Sequence, residues 1–265
     1  MSEGVFEKEY ISRWTLNAKQ HFDSGDYEWV CDFIHQCFPD GTCKRILELG
    51  CGAGYSTLVL LLRDYQVVSI DINHEAIAHT DTLIKAHDYS SEIKTTDEPG
   101  IIQADALLWQ KDIVNEWGLV YALTRLQAND NPIDLIILCN PGGNVSREIT
   151  PQEQELLKNG GFSKEEISYN IQNGCIDLLH KWALTYASCA LSRSTGIPLL
   201  IVERETEKEI NNTLEQISDD ASMVIAMSSS RPIKNAPDGG TVLMNTLSAT
   251  EQQYWKAGLF IPIDK

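Results

Sequence analysis

Five short apolar runs, RILELG (45 to 50), VVSID (67 to 71), IIQAD (101 to 105), DLIILCN (134 to 140) and PLLIVE (198 to 203), alternate along the chain with segments of helical pattern. A strand covered on both faces has no polar side to present, so it reads as an unbroken apolar run, and parallel strands need a crossover of helix length between them. The intervening segments supply those helices at 55–65, 74–89, around 112–127, and at 167–194, which stops before Gly196 and Pro198. The alternation specifies an α/β fold with a doubly wound sheet. A further helix over 205–220 precedes two more runs, MVIAMSSS (223 to 230) and GTVLMNTLS (240 to 248), with NAPDGG between them. That connection is too short for a crossover helix, so the two runs are expected to pair antiparallel at one edge. The expectation is a seven-stranded sheet, mostly parallel, with an antiparallel edge hairpin.

At 265 residues the chain can bury one sizeable core, and no long linker divides it. Residues 1–44 read as an N-terminal helical cap of two helices, residues 45–265 as the sheet domain, and residues 144–166 as a polar insertion after the fourth strand. A formal net charge of -17, from 21 basic and 38 acidic residues, repels a phosphate backbone or an acidic membrane surface. Nucleic acid is therefore a disfavoured partner. No apolar segment reaches the ~20 residues that span a bilayer, and MSEGVFEKEY has neither the basic nor the apolar region of a signal peptide. A cytoplasmic protein with no membrane partner is expected, its oligomeric state open. The seven cysteines form no CxxC pair for zinc or redox work, so they read as reduced structural thiols and no metal is expected.

Directly after the first run stands ELGCGAGYST, with Gly50, Gly52 and Gly54 at every second position. Open parallel sheets bind ligands beyond the carboxyl ends of their strands, and glycines there permit unusual φ/ψ values and close approach of a ligand. A bare bend needs only one or two. The dinucleotide fingerprint is G-x-G-x-x-G, with a pyrophosphate on the helix N-terminus; here the third glycine comes one residue early. The spacing disfavours NAD, and a packing turn without a ligand is the remaining alternative.

The same stretch, E-L-G-C-G-A-G, resembles motif I of the class I S-adenosylmethionine-dependent methyltransferases, the E/D-x-G-x-G-x-G loop. That family has a Rossmann-like seven-stranded sheet with a terminal antiparallel hairpin, so the resemblance extends over roughly residues 40 to 250. It implies S-adenosylmethionine as cofactor and, position by position, a cofactor-binding set. Glu48 would face the methionine amino end, beside the turn formed by Gly50, Cys51, Gly52 and Gly54. Asp71 would accept hydrogen bonds from the ribose diol and Ile72 would pack on the adenine face. Asp105, ending the third strand in QADAL, would accept from the adenine amino group, with the Ala106 backbone nearby. Taken singly, Asp71 or Asp105 also fits a helix N-cap or a solvated strand end.

After the fourth strand the chain reads LCNPGGN, which partly resembles the (D/N/S)-P-P-(Y/F/W) motif IV of amino methyltransferases. Asn140 and Pro141 match and form the catalytic candidate, Asn140 also lining the cofactor site; Gly142 and Gly143 depart from the motif. The missing ring is the one that stacks on a flat base or amide. An aromatic lid from Tyr10 or Trp14 of the cap is one substitute. His74, His180 and Glu203 are candidate general bases, none with a partner visible in sequence. The expected function is methyl transfer to a small molecule or a protein side chain, nitrogen favoured as acceptor. A nucleic-acid amino methyltransferase and a catalytically silent cofactor- or partner-binding subunit are the alternatives.

Overall fold

The computed structural model describes residues 15–95, 103–116, 118, 120, 123–124, 132–139, 148–206, 213–221, 223–232 and 253–263. Helices α1 (residues 15–23) and α2 (Asp26–Cys37) come first. They are followed by β1 (Arg45–Leu49), α3 (Tyr55–Leu62), β2 (Gln66–Asp71), α4 (His74–Lys85), β3 (Ser91–Lys94), β4 (Ala106–Gln110) and β5 (Leu135–Cys139). Then come α5 (Pro151–Asn159), α6 (Lys164–Gln172), α7 (Ile176–Thr195), β6 (Leu199–Thr206), α8 (Thr213–Ala221), β7 (Met223–Pro232) and β8 (Gln253–Pro262).

The strands form one sheet in the order β3-β4-β2-β1-β5-β6-β8-β7. Neighbours run parallel except for β8, which is antiparallel to both β6 and β7. The order reverses at β1, so the carboxyl ends of β1 and β5 open the crevice where such sheets take their ligands. All five residues of β1 are buried because helices cover both faces. Phe33 and Ile34 of α2 and Val59 and Leu60 of α3 pack with Ile46 and Leu135 on one face. Cys189 and Leu191 of α7 and Leu214 and Ile217 of α8 pack with Leu47 and Ile136 on the other.

The doubly wound sheet and its antiparallel edge follow the sequence pattern, with eight strands among the described residues where seven were expected, and three elements differ. The third parallel strand is ALLWQ, not IIQAD: residues 103–105 are outside any strand, and Ala106 to Trp109 are all 0% exposed. Two adjacent apolar runs compete here, and the one carrying Leu107, Leu108 and Trp109 buries far more apolar area on the two faces than QAD could. The short β3, half polar, adds an edge beyond it.

At the opposite edge β7 matches the expected run, but its partner is residues 253–262; the run 240–248 lies outside the described residues. Lys256 and Gly258 obscure this strand in sequence, yet Trp255, Ala257 and Leu259 pack on the α2 face and Phe260 on the α8 face. At Gly258 a Cβ would lie 2.8 Å from Leu214 of α8, which explains the glycine inside a strand.

The described part of the polar insertion carries the helix α5 and the start of α6. Thr150 and Ser163 each close a capping box, with Glu153 and Glu166 respectively. Leu157 and Ile167 sink against Leu179 and Ala183 of α7. The single helix expected over 167–194 is broken between α6 and α7, where Gly174 has φ 73°. No helix among the described residues is long and apolar enough to cross a membrane.

Trp109 is the largest fully buried side chain of the displaced strand. Trp109→Ala is expected to cost about 3–5 kcal/mol, read as a lower urea midpoint with an unchanged m-value.

Candidate functional site

Beyond β1 the chain reverses over Gly50, Gly52 and Gly54, whose φ values are 82°, 53° and 81°. The turn is hooked onto β2: Gly50 N–H donates to the Ile70 carbonyl (2.7 Å) and Gly52 N–H to Asp71 Oδ2 (2.9 Å). The two outer glycines answer different needs. A Cβ at Gly54 would lie 2.5 Å from Thr80 Oγ1, so α3 meets α4 closely only without one; a Cβ at Gly50 would meet nothing within 4 Å. Gly50 thus faces open space at the carboxyl end of the sheet, as a backbone that a ligand approaches must. Gly54 caps α3 with no side-chain bond, so the first-turn amides of that helix have no side-chain cap from it.

Two carboxylates support the turn. Glu48 is 0% exposed and accepts from Ser56 Oγ (2.5 Å), Thr57 Oγ1 (2.5 Å) and Ser69 Oγ (2.6 Å). Burial pushes its carboxyl up from the ordinary value, and the three hydroxyls pull the other way. Its oxygens are engaged inside the fold, joining β1, α3 and β2. Asp71 is 8% exposed at the end of β2, its Oδ2 on Gly52 N–H and its Oδ1 on Asn73 N–H (2.9 Å). Burial pushes Asp71 up as well, against the backbone bonds. A carboxylate accepts at about four positions, so this one keeps capacity for hydroxyls of a ligand. Ile72 follows with 37% exposure, an apolar side chain presented beyond the strand end. The Cys51 thiol is buried against Thr80 and driven well up by burial, so it is inert.

Asp105 and Ala106 are not with this group. Because the strand begins at Ala106, Asp105 stands at its opening end, across the sheet from the glycine turn, and accepts from Ser90 Oγ (2.6 Å) and Ser90 N–H (2.8 Å). Those bonds hold its carboxyl below the ordinary value. The Ala106 N–H donates to the Ser90 carbonyl. The residue level with Asp71 at the carboxyl end of β4 is Gln110, whose amide lies 3.5 Å from the Ile72 carbonyl. The acid in QADAL masked it: the order of residues resembles the family's, but the strand lies five residues later.

On the other side of β1, Cys139 ends β5. Asn140, Pro141, Gly142 and Gly143, like Tyr10 and Trp14, lie outside the described residues. Of the three candidate bases, His74 is exposed beside Glu75, His180 is bonded through Nδ1 to buried Glu153 (2.7 Å), and Glu203 is 2.7 Å from Lys181 Nζ. A group that sequence reading missed is His21, buried with Asp26 against Trp255 of β8. The residue after it, Phe22, packs on Tyr55 at the start of α3, ring centroids 5.4 Å apart, and Tyr55 in turn approaches His79, which bonds the Ala53 carbonyl. The cap helices therefore touch the glycine turn directly. Neither His21 nor Asp26 belongs to a motif, so no local signal marks them.

Gly54→Ala, strained at its φ and short of space, is expected to destabilise by about 1–3 kcal/mol, and Gly50→Ala, equally strained but unobstructed, by about 1 kcal/mol; thermal melts separate the two. Since burial raises Glu48 above 4.5, the folded protein holds a proton that the unfolded chain releases, and the stability from this site is full below that value and lost as pH rises through the raised one. Glu48→Gln, which cannot ionise, is expected to flatten the fall of melting temperature with rising pH over that range.

Residues 15–105 match the model of the methyltransferase small domain. No curated protein matches the chain in sequence. Among solved structures, the N-methyltransferase NodS from Bradyrhizobium japonicum WM9, in complex with S-adenosyl-L-homocysteine, is similar at 11% identity and TM-score 0.49, covering 97% of this chain and 99% of that one. Magnesium protoporphyrin IX methyltransferase from Synechocystis PCC 6803 is similar at 11% identity and TM-score 0.45, covering 91% and 83%. Residues 15–105 thus match a methyltransferase small domain, and that match takes in the glycine turn and the strand at which the sheet order reverses.

Proposed function

We propose that this protein transfers a methyl group from S-adenosylmethionine to a nitrogen of a small molecule or a protein side chain. The observation that carries the cofactor half is the pairing of an open Gly50 with a buried Asp71 carboxylate one strand away, a cradle for an uncharged ribose next to a turn with no pyrophosphate site. Asp71 would hold the ribose diol, Ile72 the adenine face, and the first-turn amides of α3 the methionine carboxylate, which the positive end of a helix favours. Gln110, beside Ile72, takes the place in reading the adenine edge that Asp105 was expected to fill. Glu48 acts from beneath, through Ser56 and Thr57, to set the pitch of the turn.

The cofactor supplies an activated methyl group. The chain's own task is to hold an acceptor in line with it and to take up a proton where the acceptor carries one. Asn140, the residue after Cys139 in sequence, is the group that the sequence offers to hold a nitrogen, its side-chain oxygen accepting from the N–H. The charge of -17 favours a neutral or basic acceptor over nucleic acid.

Calorimetry is expected to give micromolar or tighter binding of S-adenosylmethionine and none of NAD; the reverse overturns the reading. Asn140→Ala is expected to lower transfer of tritiated methyl groups into fractionated cell extract by about 10²-fold or more with cofactor affinity unchanged. Label in the RNA fraction alone contradicts the acceptor class.

A further inference from the structure

The glycine turn has its amides tied to one element and its carbonyls to another. Gly50 N–H donates to the Ile70 carbonyl and Gly52 N–H to Asp71, both on β2. From α4, Thr80 Oγ1 donates to the Gly52 carbonyl (3.4 Å) and His79 Nδ1 to the Ala53 carbonyl (3.0 Å). A carbonyl oxygen can only accept, so Nδ1 is the nitrogen of His79 that carries the proton in this contact. Gly54 N–H donates to the Cys51 carbonyl (2.9 Å), which closes a four-residue turn with Gly52, at φ 53°, in its first central position.

Ala53 thus stands between two glycines of positive φ, and a peptide group beside a glycine turns over at little steric cost. The peptide from Ala53 to Gly54 is the last one before α3, and both its polar ends are held, the carbonyl by His79 and the N–H by Cys51. Its direction sets the direction of the amides that open the helix. The anchor itself is firm: Thr80, next to His79, is 0% exposed and packs so closely on Gly54 that a Cβ there would lie 2.5 Å from its Oγ1. Tyr55, the first residue of α3, meets the His79 ring at 6.4 Å and the Phe22 ring of the cap at 5.4 Å between centroids.

We infer that His79 is a positioning residue of the cofactor site, acting through the Ala53 carbonyl on the first-turn amides of α3 and so on the methionine end of the cofactor; this rests on the methyl-transfer reading. Three glycines let the turn take its shape, but they also leave it free to take others. The bond from α4 removes that freedom before a ligand arrives, so the ordering cost is not charged against binding. The ribose side is held separately, by Asp71 on β2, and does not depend on His79. The competing role for His79 is that of a ring that merely packs α4 against Tyr55, which needs no hydrogen bond.

Two probes separate these roles without a known acceptor. S-adenosylhomocysteine carries the amino-acid end of the cofactor; 5′-methylthioadenosine keeps the adenine, ribose and sulfur and lacks that end. Their affinities are measured by calorimetry on the full chain and on His79→Ala and His79→Asn, the latter placing an amide N–H where Nδ1 stood. His79→Ala is expected to weaken S-adenosylhomocysteine by about fivefold or more and methylthioadenosine by about twofold or less, and His79→Asn to restore most of the loss. Equal losses on both probes, no loss on either, or an asparagine variant as weak as the alanine one leaves His79 as packing and overturns the inference. In the unmodified protein, nitrogen NMR is expected to find the proton of the neutral His79 ring on Nδ1; a proton on Nε2 overturns the inference, and this readout decides even where a variant fails to fold. If neither probe binds the wild type, the methyl-transfer reading itself falls, an outcome distinct from binding that is indifferent to His79.

Discussion

Beneath the glycine turn lies a carboxylate that water cannot reach, and three hydroxyls from two neighbouring elements close around it. An unsatisfied carboxylate at that depth costs several kcal/mol, so Ser56, Thr57 and Ser69 must stay where they are once Glu48 is in place. This couples the end of β1 to the first turn of α3 and to the middle of β2, the three elements that frame the turn. Asp71 repeats the device one strand away through the Gly52 N–H. The shape of the turn is therefore as much the work of two acids as of three glycines, which only make that shape sterically admissible.

The crevice is built from chain segments of different kinds. Its cofactor side comes from one contiguous stretch, β1 through β4, in which each strand lies next to a near neighbour in sequence. Its other side draws on α1 and α2, the end of β5, β6 and β8, segments more than two hundred residues apart at their extremes. Arg231 to Gly25 and Trp255 to His21 are contacts across that whole distance. The glycine turn and its two acids thus rest on local structure, and the packing of the cap helices on the sheet edge rests on long-range contacts.

The same division explains what could be read from sequence. The runs at 45–50, 67–71, 134–140 and 198–203 were legible because strands covered on both faces admit little but aliphatic side chains. The turn was legible because three glycines in alternation serve few other purposes. IIQAD misled because two apolar runs stand side by side and pattern alone does not choose between them; tertiary burial of Trp109 does. The strand at 253–262 was hidden by Lys256 and by Gly258, whose missing Cβ admits Leu214. The His21–Asp26 pair left no trace because a histidine and an aspartate five residues apart across a helix break form no periodic signal.

The insertion of β8 between β6 and β7 has a consequence for assembly. β6 and β7 cannot join one sheet until residues 253–262 have been made and threaded between them, and Trp255 cannot lie against His21 before that. Closure of this side thus waits on contacts of very high sequence separation, which pay their loop-closure entropy before any reward. During synthesis the half that carries the glycine turn can take shape while the other half is still open, with β6 as a bare edge that needs protection from other chains.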